Sequence, residues 1–78
     1  MNVDIITPSN KLYSGEINSI KVPGSDGEFE ILKNHAPIIS SLNKGIIRII
    51  DKDNNTENFE INGGVIEMQK NNIIVLAD

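Results

Sequence analysis

In the segment EFEIL (28–32), Phe29 and Ile31 alternate one for one with Glu28 and Glu30, the pattern of a strand with one dry face and one wet face. The same period recurs at the end of KLYSGEINSIKV (11–22), where Ile20 and Val22 flank Lys21, while NVDIIT (2–7), short, rich in β-branched residues and closed by Pro8, reads as a strand on composition. Gly15 inside that run predicts a bulge or a corner. APIISSL (36–42), GIIRII (45–50), FEI (59–61), VIEM (65–68) and IIVLA (73–77) supply further short strands. Turn chemistry lies between them: VPGSDGE, the Asn43-Lys44-Gly45 turn, a solvated hairpin loop DKDNNTEN (51–58), NGG (62–64) and QKNN (69–72). NGG reads either as a type I′ turn or as a sharp bend, since Asn and Gly both accept positive φ. Breakers interrupt nearly every window long enough for a helix. Eight or more short strands therefore predict one all-β domain over residues 1–78, an antiparallel sandwich or small barrel, with Phe59 and Ile61 sharing a buried face.

Composition changes this picture mainly by exclusion. A chain of 78 residues buries only about 60% of the surface its unfolded form exposes, which leaves little interior for a deep active site. There is no Cys to add disulfides or a zinc cluster. Seven basic residues face eleven acidic ones, a formal charge of −4, and no basic run is present, so no nucleic-acid partner is expected. No apolar run reaches the roughly 18 residues that span a bilayer, and Asp4 interrupts the start of the chain where a signal peptide needs basic and then apolar residues. A soluble protein without membrane insertion, monomeric in isolation, is the expectation.

Candidate chemistry is sparse. Asp51, Asp53 and Asn55 have the spacing of the first calcium ligands of an EF-hand, but Thr56 replaces the glycine, Asn62 replaces the final glutamate, and the flanking segments are strands. PGSDGE is glycine-rich, yet acidic, and opens no helix, so it lacks the amide dipole and lysine of a phosphate loop. His35, the only histidine, sits before Ala36-Pro37; with no motif supplying a nucleophile or an orienting carboxylate, it reads as a turn residue. No catalytic, metal or cofactor site is expected. A binding module whose loops form its working surface remains.

Three stretches carry a resemblance: YSGEINSIKVPGSDGEFEIL (13–32), HAPIISSLNKGIIRI (35–49) and INGGVIEMQKNNIIVLAD (61–78). Together, with VPG, HAP, KGIIRI, the Gly pair and VLAD in this order, the chain resembles the β-domain of the epsilon subunit of F-type ATP synthases, counterpart of the mitochondrial delta subunit. The resemblance implies a flattened antiparallel sandwich of about ten strands in the central rotor stalk, held by the gamma subunit and resting on the membrane c ring. It implies a non-catalytic, peripheral membrane protein on the cytoplasmic face of a bacterial inner membrane, or the equivalent organellar face. Thr7, His35 and Ser40 then fall on the gamma-facing side. Glu28 falls where the family's ring-facing loop carries its acid, with Asp26 and Glu30 sharing its face if the strand extends back to Asp26. The family usually reads GILPGHAP, whereas Glu30, Lys33 and Asn34 stand here for Gly, Pro and Gly. Asn34 tolerates the left-handed conformation that glycine would adopt. The family generally continues beyond VLAD into a two-helix hairpin that inhibits rotation and in some members binds ATP; these 78 residues are not expected to bind ATP. The rival expectation is a free-standing sandwich adaptor or small-ligand binder, whose sign would be a contiguous apolar pocket between the sheets.

Overall fold

Eight strands follow one another without a helix in this computed structural model, which describes residues 1–78: β1 (Asn2–Ile6), β2 (Lys11–Val22), β3 (Phe29–Leu32), β4 (Ile38–Leu42), β5 (Gly45–Asp51), β6 (Thr56–Ile61), β7 (Gly64–Gln69) and β8 (Asn72–Ala77). They hydrogen-bond along one curled path in the order β4-β7-β8-β1-β2-β5-β6, with β3 also on β2. The path folds over at β2. Its first half pairs with β1, from Glu16 opposite Asn2 to Lys11 opposite Ile6, while its second half lies between β3 and β5. One layer is thus β4, β7, β8, β1 and the start of β2; the other is the end of β2 with β3, β5 and β6. Extents of 27 × 24 × 17 Å describe a flattened sandwich, as two layers about 10 Å apart require. The difference from about ten strands is a matter of counting, since β2 serves both layers and Gly24 adds only an isolated bridge to Leu42.

Period-two alternation builds the core. In β8, Ile73, Val75 and Ala77 point inward; in β7, Ile66 and Met68 do, and in β5, Ile47 and Ile49. With Val3, Ile5, Ile17, Ile20, Val22, Ile31 and Leu42 they form one contiguous cluster. Each such aliphatic side chain contributes about 1.5 to 3 kcal/mol on burial. Ile61 belongs to this cluster, whereas Phe59, on the same strand face, is only half-buried. Its ring packs on Tyr13 across the opening between the layers, centroids 5.8 Å apart and planes tilted by 58°.

Other local expectations are revised. Not every pair is antiparallel: β1 runs parallel to β8, from Asn2 opposite Asn72 to Ile6 opposite Leu76, because the first and last strands meet after the whole chain has wound between them. Gly15 pairs regularly with Val3, and the register breaks instead beyond Ile17, around Asn18, and between Ile5 and Ile6. Gly15 is small because the Tyr13 ring lies over it, a Cβ there falling 3.2 Å from the phenol oxygen. The loop read as 51–58 narrows to residues 52–55, since Thr56–Asn58 already pair with Arg48–Ile50. Asp51 shapes that turn: its Oδ1 accepts the N–H groups of Asp53 and Asn55, both at 2.9 Å. NGG is the sharp bend, carrying the chain from β6 in one layer to β7 in the other, with φ of 136° at Gly63 and 150° at Gly64. At 70 and 71, by contrast, Lys70 and Asn71 both take positive φ, 51° and 62°, as a two-residue type I′ hairpin demands.

Candidate functional site

The outer face of the β4-β7-β8-β1 layer carries several aliphatic side chains where alternation on a half-wet sheet would place polar ones. Cross-strand register lines up Ile39, Glu67, Ile74 and Asp4 in one row and Ser41, Val65, Leu76 and Ile6 in the next. Ile39 is 70% exposed, Leu76 56%, Ile74 42% and Val65 40%. Adjacent exposed aliphatic side chains of this kind mark protein contact surfaces. The rows of β7 and β8 cause this directly: in VIEMQ and NIIVLA both alternating sets contain aliphatic residues, so one set fills the core and the other meets solvent.

The residues expected on a gamma-facing side do not form one cluster. Thr7 closes the β1–β2 turn, its Oγ1 donating to the carbonyl of Asn10 (3.1 Å) and accepting the Asn10 N–H (3.0 Å). His35 lies at the opposite end of the same layer, in the β3–β4 loop beside the β7–β8 turn, where the N–H of Asn34 reaches Asn71. The His35 ring is exposed, and its Nδ1 donates to the Ala36 carbonyl at 2.8 Å, a local turn bond. Ser40 sits half-buried on edge strand β4 opposite Ile66, and its hydroxyl donates to the carbonyl of Ser41 at 3.1 Å. The exposed aliphatic rows lie between these positions. Nothing in Thr7, His35 or Ser40 themselves signals that face; the signal was the double aliphatic alternation of β7 and β8.

Asp26, Glu28 and Glu30 do not share one strand face either, because β3 begins at Phe29 and Asp26 belongs to the tight turn closed by the Gly27 N–H on the Gly24 carbonyl (2.9 Å). Two of the three acids are already paired. Glu30 binds the Arg48 guanidinium from β5, which reaches past Lys21 on the intervening strand. Lys21 instead lies 3.7 Å from Glu28. Only Asp26 stands without a cation. The turn that carries it is tied to β4, the Ser25 N–H donating to the carbonyl of Ser41 at 3.0 Å and the two hydroxyls meeting at 2.8 Å.

No grouping of three His, Cys, Asp or Glu side chains could hold a metal ion. The surface depressions are open and shallow, lined by strand and turn residues such as Pro37, Ile39, Glu67 and the edge of Met68 on one side of β7 and Thr7, Pro8 and Leu76 at the end of β8. Burial raises the Tyr13 phenol above its usual value, and the carboxylates of Glu57 and Asp51 add to the effect. With no helix at all, none is long and apolar enough to cross a membrane.

Residues 1–78 match the family model described as the ATP synthase delta/epsilon chain, β-sandwich domain. The ATP synthase epsilon chain of Leptospira borgpetersenii serovar Hardjo-bovis (strain JB197) is 42% identical over 78 residues, which cover 100% of this chain and 61% of that one. That of Campylobacter curvus (strain 525.92) is 40% identical over 78 residues, covering 100% and 60%. That of Chlorobium limicola is 40% identical over 76 residues, covering 97% and 86%. The chain therefore spans about three fifths of the length of the first two relatives. A chain in the Euglena gracilis mitochondrial ATP synthase structure of OSCP, F1 and c ring superposes with a TM-score of 0.89 at 14% identity, over 96% of this chain and 48% of that one. One in the Tetrahymena thermophila mitochondrial ATP synthase central stalk and c ring gives 0.80 at 16%, over 97% and 61%. At these identities the likeness is one of fold.

Proposed function

The chain belongs to the ATP synthase delta/epsilon family, whose β-sandwich domain it matches over residues 1–78, and on that premise we propose that it is a non-catalytic subunit of the rotor's central stalk. In this reading it joins the gamma subunit to the membrane c ring and couples ion transport to ATP synthesis, as a peripheral protein on the cytoplasmic or equivalent face. The observation that carries the reading is the exposed aliphatic face of Ile39, Val65, Ile74 and Leu76, which offers a protein partner an apolar contact on a domain without a deep cavity. Gamma covers that face and reaches toward Thr7 at one end, His35 at the other and Ser40 on the edge strand. The c ring meets the Asp26–Glu30 segment, where Asp26 remains free and Glu28 and Glu30 can exchange Lys21 and Arg48 for basic groups of the ring.

The test is reconstitution. Membranes bearing an ATP synthase stripped of its epsilon chain, supplied with this protein, should regain ATP-driven ion pumping, and purified gamma should bind it in a one-to-one complex. Leu76→Asp should abolish both while leaving the fold intact. A chain that neither binds gamma nor restores pumping overturns the reading.

A further inference from the structure

Two carboxylates stand in the outer rows of this layer: Asp4, on β1, is met by Lys11 at 3.9 Å and by the Ser14 hydroxyl at 2.6 Å, whereas Glu67 has no such partner. On β7 it stands directly between Ile39 of β4 and Ile74 of β8, with Val65 and Leu76 in the adjoining row. It takes part in none of the chain's ion pairs. Shallow depressions flank it, one running under Pro37, Ile39 and Met68, the other under Gln69, Lys70 and Ile74. While the face is in water the carboxylate is solvated and costs nothing. Once a partner covers Ile39 and Ile74, the same carboxylate loses its water, and an unpaired buried charge would oppose docking strongly. An apolar contact centred on this face is therefore compatible with Glu67 only if a cation arrives with the partner.

Resting on the rotor reading above, we propose that the partner segment seated on this layer presents one lysine or arginine to Glu67, and that this pair, enclosed by Ile39 and Ile74, fixes the register in which the partner docks. The aliphatic rows supply contact area without direction, because period-two rows accept a partner shifted along the strands. One enclosed charge pair removes that freedom, since every shifted arrangement leaves the carboxylate unpartnered.

Affinity for purified gamma, measured by titration calorimetry with each variant's unfolding midpoint as a control, tests this. Glu67→Gln should raise Kd by about 30-fold or more, the effect of leaving one member of an enclosed charge pair alone. Glu67→Leu should weaken binding as well, although it enlarges the apolar face, and both variants should flatten the dependence of Kd on salt. Lys70→Met should leave Kd unchanged. If the unaltered chain binds gamma and Glu67→Leu binds equally well or more tightly, the face is simply apolar and the proposed pair is overturned. If Lys70→Met weakens binding as much as Glu67→Gln, with no further loss in the double variant, the cation comes from this chain and the proposal is likewise overturned. If the unaltered chain does not bind gamma at all, the rotor reading falls and the pair falls with it.

Discussion

Asn34 and Asn71, in turns 37 residues apart, hydrogen-bond each other twice: the Asn34 N–H donates to Oδ1 of Asn71 at 3.1 Å, and Nδ2 of Asn71 donates to Oδ1 of Asn34 at 3.2 Å. Both have left-handed backbones, with φ of 65° and 62°. The β3–β4 loop that carries His35 is thereby fastened to the β7–β8 hairpin. Asn71→Gly keeps the backbone conformation and removes the clasp, so it isolates the two side-chain bonds. The expected loss is about 1 to 2 kcal/mol in urea unfolding, with faster amide exchange at Asn34 and His35. Unchanged exchange there would mean that the loop is held by other contacts.

Phe59→Ala should cost about 2 kcal/mol, below the 3 to 5 kcal/mol typical of fully enclosed phenylalanines, because the ring is half-exposed and packs chiefly on Tyr13. Ile61→Ala, in the buried cluster with only 5% exposure, should cost as much or more. Denaturation midpoints that rank the two in the opposite order would count against this account of the core.

Gly64→Ala tests the bend between layers. At φ of 150° a side chain is strained, and its Cβ would stand 2.3 Å from the carbonyl oxygen of Leu76 in the paired strand. Separation of β7 from β8 at that point should destabilise the domain by at least about 2 kcal/mol. A thermal midpoint unchanged from wild type would contradict it.

The raised phenol of Tyr13 makes a prediction at alkaline pH. The folded protein holds that proton more tightly than the unfolded chain, so stability is complete below the ordinary tyrosine value of about 10 and falls as pH rises through the folded value. Tyr13→Phe should flatten the decline between about pH 9 and 12, followed by urea unfolding. An identical decline in the variant would assign it to other groups.

Charge reversal separates structural from docking roles in the acidic segment. Glu30→Lys opposes Arg48 and should reduce stability by about 1 kcal/mol, the scale of surface pairs. Asp26→Lys and Glu28→Lys should leave stability nearly unchanged but weaken coupled ion transport, most at low salt where screening is least. Full coupling in both variants across a salt series would return these acids to a purely solvated role.

Period-two alternation is a property of neighbouring residues, so the sequence by itself determined most of the strands and the places of most turns: Phe29 and Ile31 against Glu28 and Glu30, a turn at QKNN, the left-handed Asn34; the I′ geometry at Lys70-Asn71 came only with the structure. The sequence also determined that β7 and β8 carry aliphatic residues on both faces. Which strands meet is decided by distant residues competing for the same edge, and only the tertiary structure settled that β1 lies parallel to β8, that β2 serves both layers, and that the NGG bend changes layer. The candidate surfaces divide the same way. Candidate members could be named one by one from the family resemblance, but Thr7 and His35 lie at opposite ends of one layer, and Glu28 and Glu30 are met by Lys21 and Arg48. An ion pair depends on two side chains brought within a few ångströms by pairing across strands, and spacing along the chain carries no information about that distance.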